Sequence, residues 1–150
     1  MKTTLITILM TCILTACAPT PEMRMINEAA EALGGKARIQ QVKTLSIEGE
    51  GEAPNLGQNV MPNSELPVWK VTGFRRDMDP SNNRMRMRQV RTAQFLFAGA
   101  TVQRLDQGLD GDIGYNAGQD GSSSRTSEAV ARARRIEMLH HPVIALRAAL

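Results

Sequence analysis

The sequence predicts an α+β domain with an N-terminal helix, an antiparallel meander sheet of four or five strands, and C-terminal helices. Three observations predict it. Apolar residues recur at helical spacing from Glu22 to Leu33 and again from Glu128 to Leu139. Between these segments, short runs alternate apolar and polar side chains with the period of a half-buried strand. Turn-forming residues join those runs as they do in hairpins, and a sheet so formed must cover one face with helices.

The chain opens on a leader. Lys2 is followed by an apolar run, Leu5 to Leu14, that is too short to span a bilayer as a permanent helix. The run closes on Leu14-Thr15-Ala16-Cys17, which resembles the bacterial lipobox. That resemblance implies cleavage of residues 1–16 as a signal peptide and acylation of Cys17 with palmitate-type chains. The product would be a lipoprotein anchored in the cell envelope and facing the periplasm. Each buried acyl CH₂ contributes about 0.8 kcal/mol to such an anchor. The other cysteine, Cys12, leaves with the leader, so the mature chain has no thiol for a disulfide, a zinc thiolate or a nucleophile. Residues 17–25 read as a tether, and residues 26–150 as one domain.

Within that domain, Met25, Ile26, Ala29, Ala30 and Leu33 make the first helix amphipathic, and Gly34-Gly35 end it as a C-cap. Lys36 to Val42 adds a short second turn. Leu45 to Glu50 alternates as a strand. Ala53 to Pro67, with three prolines and three asparagines, is a loop. Val68 to Asp77 is a strand, Asp79 to Asn83 a turn, and Arg84 to Arg91 a strand that alternates arginine with methionine. Gln94 to Val102 reads as a further strand with a bulge at Gly99. Gln107 to Asp112 reads as a turn, Ile113 to Asn116 as a short strand, and Ala117 to Thr126 as an exposed Gly/Ser-rich loop. Ser127 N-caps a helix whose inward residues are Val130, Ala133, Ile136, Met138 and Leu139, with arginines outside. Pro142 breaks it, and Val143 to Leu150 begins another helix. That helix has no stop signal at Leu150, so the domain is expected to be truncated there.

The composition excludes several functions. Of 18 basic and 15 acidic side chains Lys2 lies in the leader, so 17 basic remain and the mature net charge is +2. That balance, with 3% aromatics and none interleaved with the arginine runs, argues against a nucleic-acid partner. No catalytic residue and no metal site are expected. Glu137 and His140 have the Glu-x-x-His spacing of a di-iron helix, but a second copy is missing, so His140 or His141 is expected to hydrogen-bond a carbonyl left unpaired by Pro142. Asp106, Asp110 and Asp112 approach a calcium loop, yet Gly108 and Ala117 occupy positions that need oxygen ligands. Ser122 to Ser124 lack a nucleophile elbow, and Gly34-Gly35-Lys36 lacks the rest of a phosphate loop. Trp69, Phe74, Met85, Met87, Phe95 and Phe97 form a pliable apolar set, suited to core or to a lipid or other apolar ligand.

Ala29 to Val42 followed by Leu45 to Gly51 resembles the opening of a lipoprotein-carrier-like periplasmic domain. Further short segments, among them Pro67 to Val71, Arg84 to Arg86, Phe97 to Thr101, Gly108 to Asp112 and Arg134 to Pro142, resemble the N-terminal region of exported bacterial metallo-β-lactamase-fold hydrolases. The resemblance spans residues 26 to 150 and includes no catalytic motif; the His-x-His-x-Asp-His zinc motif is absent from this sequence. It implies a non-catalytic accessory domain, whose partner is its own downstream domain and whose parent protein binds zinc there. The alternative is a self-contained lipoprotein that binds a lipid or another apolar ligand on its sheet.

Overall fold

Pro21 opens the first helix because its missing N–H is one of the donors a helix start leaves unpaired in any case. Thr20 caps this helix, α1 (Pro21–Ala32), by accepting from the Met23 N–H, and the helix covers most of the expected Glu22 to Leu33. At its end the Gly35 N–H donates to the Ala30 carbonyl at 2.9 Å and the Gly34 N–H to that of Glu31 at 3.0 Å. Both glycines hold φ near +100°, at 102° and 94°, which a side chain would oppose. A short α2 (Lys36–Gln41) follows, and Ala30 and Ile39 are the buried residues of the pair.

The computed structural model describes residues 19–57, 59, 61–95, 99 and 101–150. The chain divides into two compact units, one of α1 and α2 with the residues from Leu146 onward, the other from Val42 to Ala145. Among the described residues no helix is long and apolar enough to cross a membrane. The expected lipidation at Cys17 lies outside them, as does Phe97.

The second unit is α+β, as its sequence predicts. Its strands are β1 (Leu45–Pro54), β2 (Val68–Asp79), β3 (Arg84–Ala93), β4 (Val102–Asp110), β5 (Ile113–Ala117) and β6 (Ser123–Arg125). They form one antiparallel meander in sequence order, six described strands rather than four or five. Two differences from the sequence reading account for this. Val102 starts β4 instead of ending a strand, and β4 runs through the expected turn to a two-residue loop, Gly111-Asp112. Of the expected strand Gln94–Val102, Gln94 and Phe95 lie outside the sheet, whereas Leu96, Phe97, Ala98 and Ala100 lie outside the described residues. The polar composition of Asp106 to Asp110 suits a strand because Arg86 and Arg84 on β3 neutralise the two aspartates. The Gly/Ser-rich segment contributes β6, whose main chain pairs with β5 from Tyr115 to Ala117.

Between Thr72 and Arg75, β2 carries one residue more than either neighbour, and Gly73 sits there at φ 57°. The bulge shifts the alternation by one, so Trp69 and Val71 before it share a face with Met78 after it. On that face Leu45, Met78, Met85 and Leu109 stand in register across four strands. They pack with Ala131 and Met138 of α3 (Glu128–Met138) and with Ile144 of α4 (Pro142–Ala149). Leu109 is 1% exposed and Met78 2%. Gly114 allows the helix its close approach: a methyl group there would stand 3.2 Å from the Ala131 Cα and 2.3 Å from the Thr126 hydroxyl.

Ser127 caps α3 as expected, accepting from the Val130 N–H. The buried face of α3 differs from the expected one, however. Ala131, Arg134 and Met138 are buried, while Val130, Ile136 and Leu139 remain exposed, Ile136 by 50%. Burying the small Ala131 against Gly114 fixes the rotation of the helix, and this rotation carries Arg134 inward.

Candidate functional site

The opposite face of the sheet is polar by simple alternation. Ser46, Asp77, Arg86, Gly108 and Tyr115 stand in register across β1 to β5, flanked by the row Glu48, Arg75, Arg88 and Asp106 and by the row Asp79, Arg84 and Asp110. Apart from Arg75 and Arg88, which stand opposite each other, the charged cross-strand neighbours within these rows are of opposite sign. Arg86 binds Asp106 through two bonds of 2.9 and 2.7 Å, and Arg84 binds Asp110 at 2.7 Å. Arg75 bridges Glu48 and Asp77, reaching both Asp77 oxygens from its Nε at 3.0 and 2.9 Å. The Ser46 hydroxyl donates to Asp77 at 2.6 Å, and Arg88 stands 3.7 Å from it.

These contacts set the ionisation of the face. The Arg75 hydrogen bonds, then that of Ser46, hold the Asp77 carboxyl at about 2, against an ordinary 3.8. The Arg86 guanidinium lowers Asp106 in the same way and is itself raised by it. Asn82 lowers Asp79, whose Oδ1 also accepts from the Ser81 and Asn82 N–H groups and so shapes the β2–β3 turn.

A groove of about 700 Å³ lies on this face. Ser46, Asp77, Asp79, Arg84, Arg86, Asp110 and Tyr115 supply its polar lining. Met78, Met85 and Leu109 also border it, but their side chains belong to the core on the other face. The Tyr115 ring lies directly over Gly108. A methyl group on Gly108 would stand 2.1 Å from the Tyr115 Cζ and 2.3 Å from its hydroxyl oxygen, so only glycine leaves room for the ring there.

Behind the groove, Arg134 enters the sheet from the helix side. It is 7% exposed, and its Nη1 donates to the carbonyls of Gly108 at 2.9 Å and Tyr115 at 2.6 Å, its Nη2 to the Asn116 Oδ1 at 2.7 Å. Burial pulls its pKa below the ordinary arginine value, opposed by Glu137 and Tyr115. This cation fastens α3 to the two strands that carry Gly108 and Tyr115.

The residues singled out by sequence are dispersed. Glu137 pairs with Arg76 rather than meeting a metal, and the Arg76 guanidinium lies 5.6 Å from the Phe74 ring. His140 is exposed, and the buried His141 Nδ1 has no hydrogen-bond partner, so the bond expected there is not formed by that atom. Among the described residues no three His, Cys, Asp or Glu side chains stand together as a metal site. Asp106, Asp110 and Asp112 each pair with a different arginine: Arg86, Arg84 and Arg135. Trp69, Met85 and Met87 are at most 9% exposed, with Trp69 edge-on to Phe95 at 5.3 Å and under Arg91 at 4.6 Å. Sequence reasoning missed Tyr115, Gly108 and Arg134. A glycine inside an otherwise polar strand was the available signal for the first two.

No protein-family model, curated protein or solved structure matches the chain.

Proposed function

We propose that this chain is a non-catalytic, lipid-anchored domain of the cell envelope, the N-terminal accessory part of an exported metallo-β-lactamase-fold hydrolase. One observation carries the non-catalytic reading. Four acidic side chains are held by arginines, Asp77 by Arg75, Asp106 by Arg86, Asp110 by Arg84 and Glu137 by Arg76, and Asp79 is taken up by the Ser81 and Asn82 groups of its own turn. The arginine hydrogen bonds lower the pKa of Asp77 and Asp106 and make them weaker bases. The two histidines are adjacent in sequence, and Glu137, the carboxylate nearest to them in sequence, is engaged by Arg76, so the residues present do not fit a catalytic zinc. Zinc in this reading belongs to a downstream domain. Of the apolar side chains on which the lipid-binding alternative rests, Trp69, Met85 and Met87 are buried, and Phe74 and Phe95 are half-buried.

The test is metal analysis and hydrolysis of a chromogenic β-lactam by the purified mature chain, alone and extended through any in-frame continuation. The mature chain should hold far less than one equivalent of zinc and hydrolyse nothing above buffer, whereas the extended protein should bind zinc. Stoichiometric zinc in the mature chain that is lost on mutating His140 and His141 would refute the reading, as would a continuation without a His-x-His-x-Asp-His segment.

A further inference from the structure

We propose that the groove on the polar face binds a neutral saccharide. Its volume of about 700 Å³ falls within the range of small-molecule sites. Its chemistry selects among ligand classes. An anion meets Arg84 and Arg86 only beside Asp110 and Asp106, whose charges already neutralise them through bonds of 2.9 Å or less. A cation meets Asp77 and Asp110 only beside Arg75 and Arg84, which already neutralise them, and meets Asp79 already accepting from Ser81 and Asn82. An apolar ligand meets few apolar side chains, because those of Met78, Met85 and Leu109 point into the opposite core. A polyhydroxylated neutral ligand disturbs none of these pairs. A guanidinium has five N–H donors and a carboxylate about four acceptor sites, and Arg84 spends one donor, its Nε, on Asp110. Each sugar hydroxyl both donates and accepts, so it can bridge the two members of an intact ion pair.

The remaining element is an aromatic surface. Tyr115, laid over the bare backbone of Gly108, places a ring in the groove beside Arg86, and the C–H face of a sugar packs on such a ring. Arg134 holds Gly108 and Tyr115 in that relation from behind, through both of their carbonyls. The donors, acceptors and ring are therefore fixed before any ligand arrives, which limits the ordering cost of binding.

The test is titration of the mature chain in a non-glycosidic detergent with chitotetraose and with maltotetraose, followed by amide chemical shifts, with inorganic phosphate as the comparison. At least one tetrasaccharide should bind and shift amides of Ser46, Asp77, Arg86 and Tyr115. Tyr115→Ala should weaken binding about tenfold, the worth of one stacked ring, while Tyr115→Phe should keep it. Arg84→Gln, on the exposed rim, should weaken it without altering the spectrum of the core and serves if Tyr115→Ala disturbs the fold. Failure of both tetrasaccharides to bind at millimolar concentration would overturn the proposal. So would shifts confined to other surfaces, or phosphate competing for the same amides.

Discussion

Arg134→Met is the most informative single substitution, because it separates a buried structural arginine from one on a solvated helix face. Methionine keeps most of the apolar stem and removes the guanidinium. The loss strands the Gly108 and Tyr115 carbonyls, whose donor at 2.9 and 2.6 Å disappears, along with the bond to Asn116 at 2.7 Å. Each buried carbonyl left without a partner costs about 1 to 3 kcal/mol. Against this stands the relief of no longer burying a cation, a penalty of several kcal/mol per ion that its three hydrogen bonds offset in the native chain. The net expectation is a loss of about 2 to 4 kcal/mol. For a domain of this size, 1 kcal/mol moves Tm by about 4 to 6 °C, so the melt should fall by about 10 to 20 °C. Circular dichroism melts and urea unfolding of wild type, Arg134→Met and Arg134→Lys would measure it, with lysine intermediate because one ammonium cannot reproduce the planar fork. A change below about 3 °C would refute the argument and return Arg134 to the solvated face that its helix pattern suggests.

Three further outcomes follow from the same geometry. Gly108→Ala should cost about 1 to 2 kcal/mol, since the Tyr115 ring end that it meets at 2.1 Å can swing away; if thermal unfolding is unchanged, the ring does not lie where described. Gly114→Ala should cost more, about 2 to 3 kcal/mol, because the obstacle at 3.2 Å is the main chain of α3, and a smaller urea-midpoint shift than that of Gly108→Ala would contradict the packing. Asp77 has its folded pKa lowered from 3.8 to about 2, so its stabilisation is present above about pH 4 and disappears as the pH falls toward 2. The urea midpoint of the wild type should drop across that window, less so at high salt, and Asp77→Asn should flatten the change; an identical acid profile for both would exclude Asp77 as a contributor.

The legible parts of the fold were those in which one residue type answers one local demand. Ser127 starts a helix because its hydroxyl reaches back to an unpaired N–H group, and Gly34-Gly35 end one because both adopt positive φ. The Arg–Met alternation of Arg84 to Arg88 exposed a strand with two unlike faces, and the structure keeps methionine inside and arginine outside. The illegible parts depend on partners distant in sequence. Asp106 and Asp110 look like turn residues until the arginines of β3 lie opposite them, and the Gly/Ser-rich β6 is a strand only because β5 offers it hydrogen bonds. An arginine on a helix reads as solvated, and Arg134 turns inward because two main-chain carbonyls and an asparagine wait there. The groove was hidden for the same reason. Its lining comes from five strands, and nothing local marks Tyr115 as the residue that lies over Gly108.

Anchoring at Cys17 is the claim on which the envelope reading stands, and metabolic labelling with a radioactive or clickable palmitate analogue tests it most directly. Wild-type protein should incorporate the label and sediment with membranes. Cys17→Ser, which removes the thiol that must be acylated, should incorporate none and either leave the membrane fraction or persist at precursor size. Equal labelling of the two proteins, or no label in the wild type, would contradict the account.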